Sequence, residues 1–185
     1  EIQGYEAAHA ESPITDLRWV VAHVPFITEP WVNRLKALGG GLSLTSWRYL
    51  AGTPEQNGPP FRMIVNNGIH AGMSSDGMQI APMNPWIHMY YATTGLNARG
   101  VQINPNQQIT RQEVLELYTK KNGHFLRRED DLGSGVVTVA GGEHRAQSVA
   151  AALGPVETEL VAVHDAARPF ASADLIARAI AAAEK

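Results

Sequence analysis

The sequence predicts an α/β fold, a mostly parallel sheet covered by helices. Three observations carry this. Apolar runs of strand length, such as LRWVVAHV and GLSLT, recur along the chain, and stretches bearing helix start and stop signals separate them. The spacing leaves room for helical crossovers, which favours parallel βαβ units. A chain of 185 residues also suffices for an α/β core, burying roughly 70% of its extended-chain surface.

Taken in order, EAAHAE reads as a helix leading into a strand over Leu17 to Val24. TEPWVNRLKALGG follows, with Thr28 as cap, proline in the first turn and glycines at the end, so both helix stops are visible. A short strand is expected over Gly41 to Thr45. PPFRMIVNNG is then helical up to Asn67 and Gly68, and a third strand starts at Ile69. The stretch TRQEVLELYTKKNGHFLRRED opens a helix, because Thr110 and Glu113 have capping-box spacing. The tryptophans read as core or pocket walls.

Composition shifts at Gly133, Ser134 and Gly135. All 4 Trp, 5 Met and 5 Tyr precede this point, and alanine and valine dominate the tail. That tail reads as strand VVTVA (136–140), buried on both faces, helix HRAQSVAAAL, strand ELVAVHD and helix SADLIARAIAAAEK capped by Ser172. Three strands before the joint and two after it would make one five-stranded sheet.

The charge balance excludes several functions. With a net charge of -3 and 18% charged residues, no basic face points to nucleic acid. No apolar run is long enough to span a membrane, and the acidic start does not read as a signal peptide, so a soluble, cytoplasmic-type protein is expected. Absence of cysteine removes disulfides, thiolate metal sites and a thiol nucleophile.

In the tail, GGEHRAQSV (141–149) followed by VAVHDAARPF (161–170) resembles the 2-C-methyl-D-erythritol 4-phosphate cytidylyltransferases. That likeness implies a Rossmann-like nucleotidyltransferase fragment over 135–185. It implies Asp165 as the acid beside magnesium, Arg168 near the substrate phosphate, and Gly141, Gly142, Arg145 and Ser148 beside the cytidine base of CTP. The family's glycine-rich basic loop, which cradles the triphosphate, has no counterpart before Gly141.

The phrases DLRWVVAH, GLSLTSWRYL, FRMIVNNGIHAGMSSDG and ITRQEVLELYTKKNGHFLRREDDLGS resemble the last third of a metal-dependent amidohydrolase that cleaves N-substituted amides. The resemblance implies a (βα)8-barrel fragment over residues 1–134. His23 would be a zinc ligand, and Asp76 would contact metal and take the proton from the attacking water. The family's His-x-His pair is missing: none of the 7 histidines forms one.

Read alone, each residue has a plainer role. His23 is a structural histidine at a strand end, Asp76 a turn acid, Asp165 and Arg168 a local ion pair, and Gly141 and Gly142 a turn. His70, His88, His124 and His144 read as structural or surface residues. The expectation is a joined chain with two incomplete sites and no complete catalysis of its own. A residual hydrolase and a nucleotide-binding remnant remain alternatives. Partners would be a small-molecule substrate or CTP, and a homo-oligomer or a complementing chain.

Overall fold

The structure is a computed structural model that describes residues 2–77, 80–128, 139–158, 161 and 173–183. The chain forms two compact units, Glu1–Gly133 and Ser134–Lys185.

In the first unit helix α1 (Ile2–Glu11) leads through a 3-10 turn (Thr15–Leu17) to strand β1 (Val20–Ala22). Helix α2 (Glu29–Ala37), strand β2 (Gly41–Thr45) and helices α3 (Arg48–Ala51) and α4 (Phe61–Asn67) follow, then strand β3 (Ala71–Ser74). Helices α5 (Pro85–Thr94), α6 (Arg111–Tyr118) and α7 (Lys120–Leu126) complete it. The sheet runs β1-β2-β3, parallel throughout, with Val20 opposite Gly41 and Leu42 opposite Ala71. The unit is α/β with a small parallel sheet, as the alternation of signals predicts.

The central strand shows why GLSLT reads as a strand. Leu42 and Leu44 lie in a core with Val32, Phe61, Ile64 and Tyr91, all of them with no exposed surface. On the other side of the strands, glycine is needed for close approach. A Cβ at Gly41 would collide with the Phe125 ring, and one at Gly72 with the Asn122 amide. That lets α7 lie close to β3, where Asn122 Nδ2 donates to Met73 O at 2.9 Å.

Among the described residues, two ion pairs tie helices together. Arg62 on α4 makes paired hydrogen bonds to Glu113 at 2.8 and 2.9 Å and also donates to Gln108 O. Glu113 meanwhile completes the capping box, accepting from Thr110 N–H at 2.7 Å while its own N–H donates to Thr110 Oγ. The Arg62 guanidinium holds the Glu113 carboxyl down at about 2. Arg34 and Glu6 link α2 to α1 in the same bidentate way, at 2.8 and 2.7 Å. Below the sheet, Arg18 donates to His124 O and Arg127 to Asp16 O, so the segment before β1 and the end of α7 brace each other.

Several expectations need correction. Strand β1 is shorter than Leu17 to Val24, because Arg18 (φ 55°) and His23 (φ 56°) take the left-handed conformation and end the extended run on both sides. The helix beginning at Thr110 is two helices. Thr119 breaks it at φ −116°, ψ −95°, with its hydroxyl donating back to Leu115 O at 2.8 Å. Thr28 holds the cap position of α2 without a side-chain cap bond.

Helices α3 and α5 are additions to the elements expected from sequence. The signals for α5 were present: Asn84 accepts from Trp86 N–H, Pro85 is the first helical residue and Gly95 ends it at φ 71°. Its aromatic run PWIHMYY has no polar face, so periodicity does not mark it. The tryptophans serve more as walls than as core: Trp31 and Trp86 are exposed and line clefts, and Trp47 is half-buried. Trp19, half-buried, packs against the core and stacks on Tyr5, with ring centroids 4.3 Å apart. His70 stacks on His124 at 3.7 Å, and buried His88 has Nε2 2.9 Å from Pro82 O.

In the second unit, helix α8 (Arg145–Leu153) matches HRAQSVAAAL, and α9 (Ala173–Ala183) lies within the expected last helix. Residues 136–138 of the strand VVTVA, the strand ELVAVHD beyond Val161, and Ser172 lie outside the described residues. Val139 and Ala140 are irregular and exposed rather than buried on both faces. They run directly into the Gly141–Gly142 turn, and no described strand pairs with them. Among the described residues the sheet has three strands, all in the first unit. No described helix is long and apolar enough to cross a membrane.

Candidate functional site

The carboxyl ends of parallel strands gather side chains from segments distant in sequence, and active sites of α/β folds are built there. His23 follows β1 and Asp76 follows β3, and here the two meet. His23 Nδ1 lies 3.7 Å from Asp76 Oδ2, with the imidazole half-exposed and the carboxylate mostly covered. Both residues hold left-handed backbone, φ 56° and 52°. Such strain in non-glycine residues clusters where surrounding structure fixes a side chain's direction. His23 N–H is anchored to Ser43 O at 3.3 Å, and the Ser75 hydroxyl accepts Gly77 N–H at 3.1 Å, shaping the turn that carries Asp76.

Strands β2 and β3 also carry two hydroxyls that the sequence did not single out. Ser43 Oγ donates to Ser74 Oγ at 3.0 Å across β2 and β3. Nothing in the motifs marks them; they meet diagonally across the strand pair, Ser43 standing opposite Gly72 and Ser74 opposite Thr45. His23 also borders a cleft of about 430 Å³ whose walls are largely apolar, with Tyr5, Val21, Phe26 and Trp31 among them.

Imidazole and carboxylate are the right donors for zinc, but a catalytic zinc takes three protein ligands and keeps one position for water. Among the described residues no group of three or more histidine, cysteine, aspartate or glutamate side chains converges as a ligand set. The pair fits a metal in kind and not in number.

Beyond β2 the chain turns through Ser46 and Trp47 into α3. Arg48 is only 9% exposed, its guanidinium 3.9 Å from the Trp47 ring centroid and 5.3 Å from that of Phe26. Its hydrogen bonding among the described residues is one long contact, Nη1 to Gln56 Oε1 at 3.4 Å. Arg48 Nε and Ser46 Oγ are both buried without a hydrogen-bond partner. Burial draws the guanidinium's pKa down.

In the second unit, Gly142 N–H donates to Ser148 Oγ at 3.0 Å, which folds the glycine turn back onto α8. A Cβ at Gly142 would strike Gln147, whose Oε1 accepts from His144 N–H at 3.1 Å. Gly141, Gly142, Arg145 and Ser148 therefore share one turn-and-helix corner, with Arg145 exposed. Asp165 and Arg168 lie outside the described residues.

The sequence pattern of the amidohydrolase family matches residues 1–136. The chain belongs to the amidohydrolase family. A second pattern, that of 2-C-methyl-D-erythritol 4-phosphate cytidylyltransferase, matches residues 102–185, so the tail is cytidylyltransferase-like and the chain is a chimera of the two. A bifunctional enzyme IspD/IspF of Anaeromyxobacter dehalogenans (strain 2CP-C) is 52% identical over 54 residues, which are 29% of this chain and 14% of that enzyme. Two solved structures share the fold, both of uncharacterized metal-dependent hydrolases. The one from Pyrococcus horikoshii OT3 has a TM-score of 0.56 at 17% identity, and the one from Pyrococcus furiosus 0.51 at 19%. Each likeness covers 70% of this chain and 27% of the other, so the chain spans about a quarter of those hydrolases. The small parallel sheet with its helices accords with a piece of barrel.

Proposed function

We propose that residues 1–134 derive from a metal-dependent amidohydrolase acting on C–N bonds, and residues 135–185 from a cytidylyltransferase. Neither part by itself completes a reaction. The observation that carries this reading is the His23–Asp76 pair, 3.7 Å apart at the carboxyl ends of β1 and β3. No third metal-binding group joins it among the described residues. In the assigned roles His23 is a zinc ligand, and Asp76 is both ligand and proton acceptor. A homo-oligomer or a complementing chain would supply the remaining ligands, in a cytoplasmic setting. Zinc-dependent turnover of an N-acyl amine by the purified chain tests the reading, and none is expected.

A second reading, a CTP-binding remnant, is favoured by the family match over 102–185. In it Asp165 holds magnesium, Arg168 faces the substrate phosphate, and Gly141, Gly142, Arg145 and Ser148 border the base. Without a basic glycine-rich loop before Gly141, most phosphate oxygens lack charged donors. Magnesium-dependent CTP affinity should be no better than about millimolar, roughly −4 kcal/mol, with no nucleotidyl transfer. Calorimetric titration with and without magnesium measures it. Micromolar binding abolished by Asp165→Asn would promote the remnant to a working site.

A further inference from the structure

We infer that Arg48 is the receptor for the carboxylate of a small-molecule ligand that enters at the carboxyl end of β2. A guanidinium taken out of water loses its hydration, and in folded proteins a carboxylate normally compensates it. Arg48 is 9% exposed, yet no carboxylate pairs with it among the described residues, and its Nε is buried with no partner. Two aromatic rings and one glutamine oxygen at 3.4 Å are weak substitutes. Ser46 Oγ, two residues earlier in the same turn, is a second buried donor without an acceptor.

The ligand's chemistry follows from these donors. One planar guanidinium suits a planar monoanion bound through two parallel hydrogen bonds, whereas a phosphate dianion would call for a second cation. Phe26 gives the direction of approach. Its ring lies beside Arg48 and also forms a wall of the cleft bordered by His23. The inference deepens the reading of this end of the sheet as a substrate site and names the substrate class, an amide that carries a carboxylate.

Binding to the full chain is measured by chemical-shift titration with N-acetylglycine and with its neutral counterpart N-acetylglycinamide, without metal. The acid should bind about tenfold more tightly than the amide. Arg48→Met should erase that preference, and Arg48→Lys, which keeps charge but loses the planar fork, should retain part of it. Arg48→Met should also melt at or above the temperature of the unaltered protein, because it replaces a buried uncompensated cation by an apolar chain of similar length. A residue kept only for packing would instead lower the melting temperature and leave ligand preference untouched. Equal affinity for acid and amide, no binding of the acid at tens of millimolar, or a preference that survives Arg48→Met overturns the inference. Because turnover is not read, a failed hydrolysis assay leaves this result standing, and a failed preference leaves the metal reading untouched.

Discussion

Leu44→Asp should unfold the first unit. Leu44 has no exposed surface and lies on the central strand beside Met73 of β3. An aspartate there would be a buried charge with no counter-ion, at a cost above about 4 kcal/mol, comparable with the whole stability of a small domain. Leu44→Ala separates the charge from the lost volume and should cost about 3 kcal/mol while leaving the fold in place. Thermal melts followed by circular dichroism distinguish the two. A normal melt for Leu44→Asp would mean that β2 is not the centre of the core.

Tyr91→Ala should destabilise the same unit by about 4 kcal/mol. The ring is fully buried and meets Phe61 edge-on, with centroids 6.0 Å apart. Its hydroxyl donates to Gly58 O at 3.0 Å, and burial pushes the phenol pKa far above its usual range. Tyr91→Phe keeps the packing and loses only the donor, so about 1 to 2 kcal/mol is expected. Urea titration gives both values. Equal losses for the two variants would show that the hydroxyl, and not the ring, holds the loop before α4 to α5.

The parts of the fold that could be read from sequence are those where a local rule and the core agree. Gly41–Thr45 is an apolar run that is also the buried central strand, and the Thr110–Glu113 spacing is a capping box realised in both directions. Helix α5 escaped notice because its burial comes from the aromatic and histidine side chains of PWIHMYY rather than from a 3.6-residue stripe. The break at Thr119 was hidden for another reason: a hydroxyl that bonds to a carbonyl one turn back leaves no pattern in a polar stretch.

The site shows the same division. Family resemblance is what points to His23 and Asp76, since alone each is an ordinary strand-end or turn residue; that the two approach to 3.7 Å is seen only in the structure. The left-handed backbone at both is a tertiary effect that spacing does not announce. In the sequence Arg48 is nothing more than part of SWRYL. Its interest lies in what it lacks among the described residues, a charged partner, and a sequence cannot display that.

The proposed function takes the His23–Asp76 pair as half of a catalytic metal site. The most direct measurement is hydrolysis of an N-acyl amine by the purified chain with added zinc, alongside His23→Ala and Asp76→Ala. Two protein ligands leave zinc short of the three that a catalytic site takes, so turnover should stay at background in all three proteins. Zinc-dependent turnover by the unaltered chain that disappears in both variants would contradict the claim and show a complete hydrolase.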